Sequence, residues 1–248
     1  MDNLIFSNEG KIGRITLNRP TKYNAFDFTM VQEFEGLLNQ LRYDEQTTVV
    51  ILDGGDSKGF CAGLDMTTYG PEIFAMTPIK AYEAQARMSR LFLAMRQIPQ
   101  PVISCVHGAA AGIGFSLAMA SDIRIITKDA RFCAAYINIG LGGADMASSY
   151  FLPRLIGSGR ANEFLLTGNW MDSGTALGLG FASRVVETTD EMMSTAMELA
   201  KTITEKNPMG IRMTKEAINC NLDSAGLEAA LQMEDRNQMM IAYTFRMK

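Results

Sequence analysis

The apolar and polar positions of this chain change rhythm several times. Residues 4–7 and 12–18 alternate around Asn8-Glu9-Gly10, which predicts two short strands joined as a hairpin. Residues 18–25, Asn-Arg-Pro-Thr-Lys-Tyr-Asn-Ala, break the alternation with proline and polar side chains and predict a loop. Asp27 is placed to cap an amphipathic helix over 28–42. Residues 49–52 are uniformly apolar, as in a buried strand, and a polar loop leads from them into the small-residue turn 61–65, Cys-Ala-Gly-Leu-Asp. Residues 66–81 show weak periodicity and carry Gly70, Pro71 and Pro78, so they read as a mobile flap. A helix is predicted over 82–98, with Met88, Leu91, Phe92 and Met95 on one face.

The chain is organised around residues 105–127. An apolar strand over 101–106 runs into a turn of glycines and alanines, then a helix apolar on every side, then a strand over 122–127. A turn without bulky side chains lets its backbone approach a ligand closely. The helix would begin with unpaired N–H groups and a positive dipole end at residues 112–114. Such an end suits an anion, either a phosphate or the oxyanion of a reacting thioester or ester. Residues 131–139 read as extended, and residues 140–145 form a third glycine-rich turn ending in Asp145. Helices are predicted over 146–155 and 160–167, a further helix is capped by Asp172, and a strand returns over 181–186. From Asp190 onward the pattern is helical, over 191–206, 209–220 and 224–245. The sum is an α/β core, residues 1–190, with a C-terminal α-helical region, residues 191–248.

Composition narrows the function. The chain has 248 residues and a net charge of −4, which argues against nucleic-acid binding. No apolar run approaches the roughly 20 residues of a membrane span. The N-terminus lacks the basic region and long apolar core of a signal peptide. The four cysteines are scattered, which suits buried free thiols in a reducing compartment, so a cytoplasmic location is expected. His107 is the one histidine. A histidine-rich metal site is therefore impossible, and no Cys-x-x-Cys pair is present, so no metal is expected. The Gly-x-Ser-x-Gly elbow of a serine hydrolase is missing too. At the mouth of the central turn, His107 reads as a packing or hydrogen-bonding residue rather than a catalytic one.

Several motifs, taken in order, resemble the enoyl-CoA hydratase/isomerase (crotonase) superfamily. They are Asn18-Arg-Pro with Asn24-Ala25, Gly59-Phe-Cys-Ala-Gly-Leu-Asp65, His107-Gly-Ala-Ala-Ala-Gly-Ile-Gly114, Phe151-Leu-Pro-Arg-Leu-Ile-Gly157 and Leu165-Leu-Thr-Gly-Asn169. The similarity runs over essentially the whole chain. It implies a spiral of ββα units, a homotrimer or homohexamer assembled through the C-terminal helices, and acyl-coenzyme A thioester substrates. It also implies that the thioester oxygen sits between two backbone N–H groups, which by position are those of Leu64 and Ile113. Many relatives have glycine at the second position, but only the N–H is required. The resemblance sets Asn24, Ala25 and Ala62 near the coenzyme A moiety and offers Lys22 to a phosphate, although Lys22 reads equally well as a solvated lysine. Coenzyme A is part of the substrate, and its thioester is the electron sink, so no separate cofactor is implied.

The chain departs from the family at the chemistry. Typical hydratases place two glutamates where this sequence has Ser116 and Tyr136. Neither is a carboxylate base. Asp145 is the remaining candidate for proton transfer, and it reads equally well as a helix N-cap. The third turn is similar to those of dienoyl-CoA isomerases and 4-chlorobenzoyl-CoA dehalogenases, with the aspartate one residue later than in the dehalogenase. Tyr136 reads either as a hydrogen-bond donor at the site or as a packed aromatic, and Ser116 as a small wall residue or a polar contact. Asp65 is expected to close its loop through hydrogen bonds. The reaction expected is hydration or isomerisation of an enoyl thioester. A decarboxylase or thioester hydrolase on the same fold, or a non-catalytic acyl-CoA-binding protein, are the alternatives.

Overall fold

The alternating runs at the N-terminus pair as expected. The computed structural model describes residues 1–223 and 226–246. In it β1 (Leu4–Glu9) and β2 (Ile12–Leu17) form an antiparallel hairpin with Leu4 opposite Leu17. Beyond β2 every return to the large sheet passes through a helix, so the strands that follow are parallel. α1 (Phe28–Arg42) leads to β3 (Val49–Asp53) beside β2, and α2 (Tyr69–Ala75) and α3 (Pro78–Gln97) lead to β4 (Val102–Val106) beside β3. Asp27 caps α1, its carboxylate accepting the Met30 N–H at 2.8 Å.

A second ladder records how the chain winds. Cys61 pairs with Ala110 within β5 (Ala109–Ala111), and β5 pairs with β7 (Arg131–Cys133). Between them α4 (Ile113–Ala120) and β6 (Ile123–Thr127) return the chain to the large sheet beside β4. Each turn of chain thus lays down a large-sheet strand, a short second-ladder stretch and a helix, and the next turn stacks on it. This is the expected spiral of ββα units. α5 (Ser148–Ile156), α6 (Ser158–Thr167), β8 (Met171–Asp172), α7 (Ser173–Gly178) and β9 (Arg184–Val186) complete it, with β9 beside β6. Asp172 caps α7 as expected, accepting from the Thr175 N–H.

The large sheet is covered on both faces. On one side α4 is wholly buried, and Phe115, Phe132 and Phe181 pack ring to ring at 4.9–5.7 Å. On the other, α8 (Thr189–Thr204) sets Met192, Ala196 and Ala200 against Val49, Ile51, Ile103 and Ile125. α9 (Pro208–Asn221) is tied to the core by one buried cation. Lys215 donates to the Met95 and Gln100 carbonyls and pairs with Asp122 at 3.0 Å. α10 (Leu227–Arg246) follows; the helix expected from residue 224 is seen from Leu227, and Ser224 lies outside the described residues. Among the described residues no helix is long and apolar enough to cross a membrane.

Local differences from the sequence expectation have local causes. The supposed flap over 66–81 is α2 and the first turn of α3. Pro78 stands in the first turn of α3 and Thr77 caps it, so that helix begins at 78 rather than 82. The extended run over 131–139 stops at Cys133; residues 134–136 turn and 137–139 form a 3-10 turn. The helix expected from 146 starts at Ser148, because Met146 and Ala147 lie in the left-handed region at φ 48° and 65°. The final strand spans only Arg184–Val186.

Candidate functional site

Two small-residue turns meet at the centre of the molecule. The Cys61 N–H donates to the Ala109 carbonyl at 3.1 Å, and the Ala111 N–H donates to the Cys61 carbonyl at 2.9 Å. Gly63 and Gly112 hold φ of 105° and 51°, a conformation that glycine adopts at little cost. Gly114 lies so close that a Cβ there would fall on the Cys61 carbonyl oxygen. The first turn is also pinned to the loop before α1. The Phe26 N–H donates to the Gly63 carbonyl and the Asp65 N–H donates to the Phe26 carbonyl, both at 2.8 Å. That pairing skips the Leu64 N–H. Ile113 opens α4, so its N–H has no carbonyl one turn earlier in a helix. Neither N–H has an acceptor among the described residues. Two orphan donors thus stand at the junction of two turns that touch.

The residues around this junction differ in how much freedom they keep. Asn24 is fully buried in a left-handed conformation. Its amide donates to the Gly54 and Phe60 carbonyls at 2.8 and 3.0 Å, and its oxygen accepts the Arg19 N–H. The Asn24 side chain is therefore a brace for both loops. Ala25 is buried and its carbonyl accepts from Arg19, while Ala62 is exposed. The Lys22 ammonium is half exposed, 3.9 Å from the Asp65 carboxylate. Asp65 does close its loop. The Thr67 hydroxyl, followed by the Arg19 guanidinium, holds its pKa down at about 2. His107 is buried with Nε2 at 2.7 Å from the Ser57 carbonyl, a structural contact as expected.

The third turn brings a phenol and a carboxylate. The Tyr136 ring lies over Gly112, within 4.0 Å of where a Cβ would stand. Its hydroxyl donates weakly to the Asp145 carbonyl at 3.4 Å. Burial first, and the Asp145 charge further down, push Tyr136 up to about 12, so it keeps its proton. Ser116, one turn into α4, is fully buried, and its hydroxyl makes no well-formed hydrogen bond among the described residues, although it lies near enough to the Tyr136 hydroxyl to act on it. Asp145 is half-buried, and it is not the cap of α5. Its backbone N–H donates to the Ser148 hydroxyl at 3.1 Å, and its carboxylate points the other way. The Gln85 amide and the Met146 N–H donate to one carboxylate oxygen, Oδ1, at 2.8 and 2.7 Å. Oδ2 has no donor among the described residues. Desolvation raises the Asp145 pKa above the ordinary carboxylate value in spite of those two donors. Such a group holds and releases a proton nearer neutrality than a surface aspartate does.

The structure adds two residues that sequence reasoning missed. Gln85 on α3 orients Asp145 from 60 positions away. Tyr69 opens α2, its N–H donating to the Asp65 carbonyl at 2.8 Å, and its phenol feels the Asp145 charge. Reading 66–81 as helical would have put Tyr69 one turn beyond Asp65 and so beside the first turn.

Comparison with known proteins agrees with this geometry. Residues 7–247 match the family model for enoyl-CoA hydratase/isomerase. The chain belongs to the enoyl-CoA hydratase/isomerase family. It is 34% identical over 235 residues to a probable enoyl-CoA hydratase of Mycobacterium leprae, covering 94% of this chain and 79% of that one. A crystal structure of a probable enoyl-CoA hydratase/isomerase from Mycobacterium abscessus superposes with a TM-score of 0.88 at 34% identity, covering 96% of this chain and 89% of that one. A monofunctional enoyl CoA isomerase from Mycobacterium smegmatis gives a TM-score of 0.78, also at 34% identity, covering 94% and 99%. This family member is thus an acyl-CoA-processing enzyme. Proteins named as hydratase and as isomerase stand at the same identity, so the choice of reaction rests on the residues of the site.

Proposed function

We propose that this enzyme isomerises a carbon–carbon double bond in an enoyl-CoA thioester by moving one proton with one carboxylate. The observation that carries the reading is Asp145, half-buried, with Oδ1 anchored by two donors and Oδ2 unclaimed. The thioester oxygen accepts from the Leu64 and Ile113 N–H groups. Asp145 Oδ2 takes a proton from C2 of a 3-enoyl thioester, and the electron pair moves into the thioester as an enolate. Donors fixed in advance on that oxygen stabilise it, and losing one costs about 3–4 kcal/mol. The protonated carboxyl then returns the proton at C4, which leaves the 2-enoyl thioester and restores the carboxylate. Tyr136 contributes a hydroxyl that stays protonated, and Ser116 keeps the wall small where a glutamate would hold a water. Lys22 meets a phosphate of coenzyme A, while Asn24, Ala25 and Ala62 frame the pantetheine through backbone. No metal or redox step enters, because the thioester takes the electrons. Exposed Leu227, Leu231, Met239 and Met240 on α10 support assembly as a trimer or a dimer of trimers. Buried free thiols at Cys61, Cys105 and Cys133 support a reducing, cytoplasmic setting.

The test is an assay of the wild type and Asp145→Asn on 2-enoyl, 3-enoyl, dienoyl and malonyl-type thioesters, with product mass and deuterium uptake from D2O. We expect 3-enoyl isomerisation by the wild type and a loss of about a hundredfold in kcat, about 2.7 kcal/mol, in Asp145→Asn. An Asp145→Asn enzyme as active as wild type overturns the role of Asp145. Release of CO2 from malonyl-type thioesters would indicate the decarboxylase instead. Binding of every thioester with neither turnover nor exchange would indicate a protein that has lost catalysis.

A further inference from the structure

Tyr69 is 3% exposed, and its hydroxyl has no hydrogen-bond partner among the described residues. A buried hydroxyl left unpaired is costly. Packing does not demand it. The ring stacks on Phe28 with centroids 4.3 Å apart, which a phenylalanine would do without that cost. The same ring lines a cavity of about 520 Å³ with Phe28, Val31, Ala84 and Met88. Gln85, next to Ala84 on α3, is the residue that anchors Asp145 Oδ1. α2 packs against α3, so the helix that carries the phenol adjoins the helix that anchors Asp145. The charge of Asp145 reaches the phenol, which burial and that charge hold at about 12. Tyr69 also opens the helix that follows the Leu64 turn, its N–H donating to the Asp65 carbonyl. The segment that carries the first thioester donor therefore carries the phenol.

We infer that Tyr69 is a positioning residue for Asp145, its hydroxyl donating to Oδ2 when a thioester is in place. The inference rests on Asp145 being the group that moves the proton. Oδ2 has two lone pairs, one for the Tyr69 hydrogen bond and one for the proton taken from C2. Tyr69 keeps its own proton throughout. The hydrogen bond fixes the carboxylate plane and lowers the pKa of Asp145 while the thioester is bound. Among the described residues, Tyr69 from α2 and Tyr136 from the segment after β7 feel the Asp145 charge, and both are held at about 12. Gln85 from α3 and Ser148 from α5 carry no charge. Asp145, its pKa raised by desolvation, is the carboxylate of this cluster.

The test compares wild type, Tyr69→Phe and Asp145→Asn in 3-enoyl-CoA isomerisation across pH, with thermal unfolding alongside. Tyr69→Phe keeps the stacked ring and removes an unpaired hydroxyl, so its Tm is expected to equal or exceed that of wild type. Its kcat is expected to fall about tenfold, with KM changed by less than about threefold. The acid limb of its kcat profile is expected to move up by about one pH unit, because the carboxylate has lost a donor. A Tyr69→Phe enzyme with wild-type kcat and acid limb overturns the inference, as does a change confined to KM and Tm. An active Asp145→Asn enzyme overturns the underlying reading as well. An inactive Asp145→Asn beside a wild-type-like Tyr69→Phe overturns only the role of Tyr69.

Discussion

The turns that present Leu64 and Ile113 and the turn that presents Asp145 are built in opposite ways. The first two are backbone devices. The donors proposed there are N–H groups, held by strand pairing between Cys61 and Ala109–Ala111 and by glycines packed against each other. The side chains at 64 and 113 are incidental to the donors. The third turn is a side-chain device. Its backbone sits in the left-handed region at Met146 and Ala147, and the role proposed for it depends on where one carboxylate points. Backbone geometry tolerates exchange of side chains, so an isoleucine at 113 leaves its N–H in place at the start of α4. A carboxylate has to be aimed, and here Gln85 and the Met146 N–H aim it.

Three measurements would break or sharpen this contrast. The largest effect is expected at Gly114. A Cβ there would meet the Cys61 carbonyl, backbone against backbone in both turns. Gly114→Ala should cost at least about 3 kcal/mol, seen as a lower urea midpoint. An unchanged midpoint would mean that the two turns are not rigidly joined.

Next is the pH dependence of stability at Asp145. Its folded pKa is raised by desolvation, so the stability it contributes is complete below the unfolded pKa and is lost as pH rises through the folded one. Asp145→Asn does not titrate and keeps an oxygen acceptor for Gln85. The variant should therefore gain on wild type in unfolding free energy as pH rises from the acid side of the carboxylate range, then hold a constant lead. A lead that shrinks with pH would show a carboxylate stabilised by folding, which is not the environment found here.

The smallest effect is expected at Leu64→Ala. The N–H remains, so kcat should change by less than about threefold, with a loss of about 1–2 kcal/mol from the part-buried side chain. A drop in kcat near that of Asp145→Asn would mean that the Leu64 side chain, and not the backbone, sets the donor.

Much of this arrangement was legible in the order of residues, wherever the deciding interaction is local. Alternation marked the hairpin. Asp27 and Asp172 marked helix starts because each cap bonds to an N–H three residues on. Runs of glycine and alanine marked the two turns, since only small residues fit where two backbones touch. The family motifs follow from the same packing requirement, which is why they pointed to the Leu64 and Ile113 N–H groups, both without an acceptor among the described residues. Ser116 and Tyr136, standing where the resemblance leads one to expect two glutamates, left Asp145 as the candidate carboxylate.

What only the tertiary structure decided lies across long separations. Gln85 and Asp145 are 60 residues apart, and no local pattern ties an amide on α3 to a carboxylate after β7. The spacing of Asp145 suggested a cap for α5. The left-handed pair Met146 and Ala147 delays that helix and turns the carboxylate toward Gln85. Residues 66–81 looked unstructured because glycine and proline dominate their local signal. α2 forms there nonetheless, with Tyr69 buried against Phe28 by packing from α1. Local bonding and size are written residue by residue along the chain, whereas the direction of a side chain and the polarity of its surroundings are set by elements that meet only in the folded protein.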